Sequence, residues 1–159
     1  GRGELQNQLH EMIAKRGLSD RVGLYPQVPK SHALALMAAA DAGYISLKPM
    51  PIFRHGISPN KLYDYMQAKL PVVSAISAAN DPVAEACCGI TVTPGDVEGI
   101  ANAFFHLAGL ERSQLAEMGR RGKEYVKRNH DYKILSRKYS KLFYSEGGSK
   151  SAHWPGASI

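Results

Sequence analysis

The segment Gly56-Ile57-Ser58-Pro59-Asn60-Lys61-Leu62-Tyr63-Asp64-Tyr65-Met66 gathers residue types that hold phosphates and hydroxyls. A loop carrying a glycine enters a helix for which Ser58 is a good N-cap and Pro59 a good first residue. The first turn of a helix offers unpaired N–H groups and a partial positive charge. A phosphate placed there gains about 0.3–1 kcal/mol from the dipole, and up to ~2 kcal/mol when partly buried. Lys61 stands in that turn and adds a full charge. Asp64 lies one turn further along, beside Asn60 and Lys61. Its carboxylate can accept hydrogen bonds from two adjacent hydroxyls, such as those of a ribose, each worth roughly 1.5–3 kcal/mol. A lysine and an aspartate in a first turn are also what a solvated i, i+3 pair presents. Spacing alone leaves both readings open.

The elements that must position this segment alternate. Leu5, Leu9, Met12 and Ile13 share one face of a helix predicted over Glu4 to Arg16, stopped by Gly17. Val22 to Tyr25 reads as a short strand. Ser31 is the expected cap of a helix over Ala33 to Ala40, and Ala42 to Ser46 is the next strand. A proline-bearing loop, Leu47 to Ile57, leads to the helix that runs from Ser58 to about Ala68. Leu70 to Ala75 follows as a buried strand with its proline at the start. Asp81 opens a short helix to Ala86, and Ile90 to Thr93 is a strand. Asp96 caps a helix from Val97 to Ala108. Helices over Ser113 to Arg128 and Tyr132 to Tyr144 close the order.

Short apolar strands alternating with helices predict an α/β, Rossmann-like, doubly wound parallel sheet. Ligands of such sheets sit at the carboxyl ends of the strands. That places a site in the loops after Tyr25, Ser46 and Ala75. The opening Gly1-Arg2-Gly3 reads as a turn after a strand that has been cut away. The expectation is a partial domain over residues 1–144 and a disordered tail over 145–159.

Composition narrows the classes. The chain has 159 residues, 44% of them hydrophobic and 21% charged, an ordinary balance for one globular domain. No apolar run approaches the ~18 residues of a membrane span, and no signal peptide opens it. Adjacent Cys87 and Cys88 suit a disulfide poorly and are expected as reduced, buried thiols of a cytoplasmic protein. No metal-ligand spacing is present. His10, His32, His106, His130 and His153 show no partner spacing. Net charge is +6, with cations crowded between Arg120 and Lys141. That stripe fits a solvated helix face or an anionic membrane surface better than nucleic acid.

Four passages in order resemble the family 4-like retaining glycosyltransferases of the GT-B kind. They are Leu18 to Pro29, Ala39 to Ala42, Ser58 to Val73, and Glu85 to Asp96. The resemblance covers about Gly1 to Phe143 and implies the C-terminal, donor-binding half of such an enzyme, acting in polysaccharide biosynthesis. Its donor would be a nucleotide-diphosphate sugar, a UDP-sugar above others, with no metal needed. The family carries two glutamates separated by seven residues. Asp64 matches the second and implies a ribose contact, whereas Gly56 stands where the first would touch the donor sugar. Ser58, Asn60 and Lys61 match the phosphate-binding turn, with Lys61 stabilising the leaving group. Gln27 and Val28 match the loop against the base, and Met50 lies beside the donor. The acceptor, a glycan or a lipid-linked glycan, would meet a missing N-terminal half, so the chain alone should transfer nothing. The departures at Gly56 and Asp64 leave a degenerate, non-catalytic half as an alternative. A basic membrane-binding module is a second one.

Overall fold

Residues 3–143 are described by the computed structural model; the tail expected over 145–159 lies outside them. Its centre is a strand, β2 (Val72–Ala75), buried along its whole length. The near-continuous apolar run that produces it, interrupted by buried Ser74, is typical of a parallel strand covered on both faces. It pairs in parallel with β1 (Gly43–Ser46) on one side and β3 (Gly89–Thr91) on the other, giving the order β1-β2-β3. Side chains alternate between faces. On one face Ile45 and Val72 meet Leu62, Met66, Val83 and Cys88. On the other, Val73 packs with Ala103 and Leu107.

Helices α1 (Gln6–Lys15) and α2 (Lys30–Ala38) precede the sheet. A 3-10 turn (Pro51–His55) lies between β1 and α3 (Asn60–Gln67), and α4 (Pro82–Glu85) links β2 to β3. Helices α5 (Val97–Ala108), α6 (Arg112–Asn129) and α7 (Tyr132–Phe143) follow. The apolar stripe of α3, Leu62 and Met66, is one turn apart and fully buried against the sheet. Its C-terminus closes with Leu70 N–H bonded to Tyr65 C=O and Lys69 N–H to Met66 C=O. Lys69 takes the left-handed conformation, φ 61°, that this 6→1, 5→2 closure requires. Helix α4 ends identically on Cys87, φ 47°, and α1 on Gly17, φ 63°. Asp81 and Asp96 cap α4 and α5 through their carboxylates. A reciprocal pair of bonds between Glu111 and Gln114 starts α6. Helix α6 then crosses α3 at Gly119, where a Cβ would stand 1.9 Å from the Lys69 carbonyl oxygen.

Four expectations change. Val22 to Tyr25 forms no strand, and Val22 and Tyr25 are exposed. A parallel strand is held by a neighbour's hydrogen bonds and by cover on both faces, and β-forming residue types do not replace either. Ser31 does not cap α2, because the helix already starts at Lys30 after an extended Pro29. Ser58 does not cap α3, because Pro59 is extended (ψ 117°) and moves the start to Asn60. Cys87 is exposed rather than buried. Cys88 is the buried thiol, and burial pushes its pKa up to about 11.

Neither α1 nor α2 buries a residue, and Leu5, Leu9 and Met12 are exposed. Among the described residues no helix is long and apolar enough to cross a membrane.

Candidate functional site

The approach to α3 is fixed by its backbone. Gly56 has φ 95° and ψ 170°, a region open essentially to glycine alone. A Cβ at Gly56 would meet the Asn80 side-chain oxygen at 3.1 Å. That oxygen accepts from the Ile57 N–H at 2.7 Å, and the Asn80 amide donates to the Ile57 carbonyl at 3.0 Å. The Ala79 N–H bonds the Phe53 carbonyl at 3.0 Å nearby. The loop after β2 thus holds the loop after β1 as a neighbouring strand would, with a side-chain amide as the rung. Asn80 was not singled out from sequence. The one signal for it was that the loop after Ala75 belongs at the carboxyl end of the sheet.

Beyond this clamp opens a cavity of about 500 Å³. Ser58, Asn60, Asp64 and Gln67 line one wall, with Tyr63 beside them. Lys30, the first residue of α2, lines another, and Val126, His130 and Leu135 at the corner of α6 and α7 complete it. Asn60 and Asp64 share a wall because residues four apart on a helix lie one above the other. Asp64 is half-buried, and among the described residues its carboxylate has neither an ion pair nor a hydrogen bond.

Not all the sequence-predicted residues converge here. Lys61 is exposed and does not line this cavity. Met50 lines a separate space of about 470 Å³ with Pro49, Pro51, Arg54, Ser77 and Ala78. Gln27 is exposed and Val28 half-buried on the chain leading to α2, and neither lines either cavity. Gly56 lines neither and acts through its backbone.

His130, for which the sequence offered no partner, has one. Its ring stacks on Tyr63 with centroids 4.0 Å apart and planes at 30°, and Tyr125 lies 5.8 Å away. The contact spans two helices, so no sequence spacing displays it. Burial lowers the His130 pKa and the Lys138 charge lowers it further, against an opposing pull from Glu85. Burial raises that of Tyr63, with the Ser58 hydroxyl opposing. Ser58 lies beside the phenol oxygen, yet no hydrogen bond of good geometry satisfies that buried atom. Tyr125 donates to Glu85 at 2.6 Å and ties α6 to α4.

The basic stripe is paired in part, and on α6 Lys123 and Lys127 have no ion pair among the described residues. On α6, Arg120 pairs with Glu117 and Glu124, and Arg128 with Glu124 at 3.5 Å. On α7, Lys133, Arg137, Lys138 and Lys141 have no ion pair among the described residues. Among the described residues no cluster of three His, Cys, Asp or Glu is placed to hold a metal.

Residues 1–109 match the family described as Glycosyl transferases group 1. The fold superposes on sucrose-phosphate synthase from Thermosynechococcus elongatus with a TM-score of 0.72 and 16% identity. The match covers 90% of this chain and 34% of that protein. The likeness at this identity is one of fold. No curated protein matches the sequence.

Proposed function

The chain belongs to the Glycosyl transferases group 1 family, and from this premise we propose that it binds the nucleotide of an activated sugar in the cavity beside α3. The observation that carries the reading is Asp64. Its carboxylate opens on the cavity with no protein partner among the described residues and is free to accept hydrogen bonds from a ligand, and it lines that cavity with Ser58 and Asn60. Vicinal ribose hydroxyls supply the two donors that such a carboxylate accepts.

The donor that the resemblance favours is a UDP-sugar. Its departing diphosphate would meet the amino end of α3, whose N–H groups stabilise charge as it develops, with Lys61 just outside the cavity. The resemblance would set Met50 beside the sugar and Gln27 and Val28 beside the base, although none of the three lines the cavity beside α3. At position 56 the sugar receives no carboxylate, because the backbone there admits only glycine. The acceptor, a glycan or lipid-linked glycan, would be held by residues beyond this sequence, as in a cytoplasmic enzyme of polysaccharide biosynthesis.

Ligand-observed NMR with UDP, GDP and ADP tests the reading on the wild type and on Asp64→Asn. The expected result is preferential binding of UDP, weakened about tenfold by the substitution. Binding indifferent to Asp64→Asn would remove the cavity from consideration. The unpaired cations of α7, with exposed Tyr139 among them, favour a second reading, peripheral contact with an anionic membrane. Salt-sensitive co-sedimentation with phosphatidylglycerol vesicles would detect it, and its absence at low salt would remove it.

A further inference from the structure

The cation inside the cavity comes from α2 and not from α3. Lys61 follows Asn60 directly, and consecutive helical residues point about 100° apart. Asn60 and Asp64 therefore take the cavity wall, while Lys61 shares its direction with Tyr65, the residue four places on. The Tyr65 ring packs on the sheet side, where a Cβ at Gly43 would come within 2.7 Å of it. Lys61 is left exposed outside the cavity.

Lys30 lines the same cavity as Ser58, Asn60 and Asp64. Among the described residues it forms no ion pair, and neither does Asp64. A positive and a negative side chain thus border one open space without neutralising each other. A ligand with an anion at one end and hydroxyl donors at the other would satisfy both. A lysine ammonium is a compact point charge suited to phosphate oxygens.

We propose that Lys30 holds the diphosphate of the nucleotide, opposite the ribose at Asp64. This rests on the nucleotide-binding reading above. It moves the principal phosphate contact within the cavity from the first turn of α3 to the first turn of α2. Because Lys30 is exposed and lies on a helix that buries no residue, replacing it leaves the core untouched.

Ligand-observed NMR titrations of UDP and of uridine, on the wild type, Lys30→Ala and Lys30→Arg, test this. Lys30→Ala should weaken UDP about tenfold or more while uridine changes by less than about twofold. Lys30→Arg should recover part of the loss, and the salt dependence of UDP binding should flatten in Lys30→Ala. Unchanged UDP affinity in Lys30→Ala would overturn the assignment, and so would an equal loss for UDP and uridine. In both cases wild-type binding leaves the nucleotide reading standing. A wild type that binds neither ligand would overturn the nucleotide reading, and this assignment with it.

Discussion

Gly56 occupies φ 95° and ψ 170°, where any side chain is strained, and its missing Cβ also leaves room for the Asn80 oxygen. Gly56→Ala should therefore cost about 1–3 kcal/mol, the usual range for a residue forced into that region. Urea denaturation of the two proteins reads the difference directly. The sequence displayed the helix entrance, the lysine and the aspartate, because those depend on residue type and local spacing. It could not display the backbone angle at Gly56, which is set by the clamp from Asn80, 23 residues beyond Ile57. Lys30 was invisible for the same reason. It lines one cavity with Asp64 although 34 residues separate them, and only α3 carries the recognisable segment.

Helix α6 lies on the end of α3, and the contact is set by the absence of side chains. At Gly119 a Cβ would overlap the Lys69 carbonyl, and at Gly122 one would press on Cys88 at 3.1 Å. Gly119→Ala must push the two helices apart, for which about 1–3 kcal/mol is the usual cost of overpacking. Thermal unfolding should register it, while Gly3→Ala, which meets nothing within 4 Å, serves as the control. Most elements were legible because their signals are local. Asp81 and Asp96 cap as expected since each carboxylate reaches its own first turn. Gly17 stops α1 in the way a glycine predicts, whereas Lys69 and Cys87 make the same turn without that signature. Ser31 and Ser58 fail as caps because the neighbouring prolines shift where the helices begin. Val22 to Tyr25 fails as a strand because pairing is a property of two segments, and its residues supply only one.

At the scale of the molecule the burial is uneven. The sheet, α3, α5 and α6 enclose both clusters of buried side chains, whereas α1 and α2 bury none. Trypsin should cut first among Lys15, Arg16, Arg21 and Lys30, well before any site in α3 or α6, since cleavage follows local opening. Saturating UDP should slow those cuts, and gel electrophoresis over a digestion time course measures both effects. One wall of the cavity is thus anchored in the core, while Lys30 stands on a weakly held helix. If a nucleotide binds between them as proposed, α2 should be fixed, and the entropy so lost would be subtracted from the affinity that the contacts would otherwise give. Anything that clamps α2 beforehand, including another stretch of polypeptide lying along exposed Leu36, removes that loss. Such a clamp would tighten nucleotide binding without touching the nucleotide, which is positive cooperativity by preorganisation.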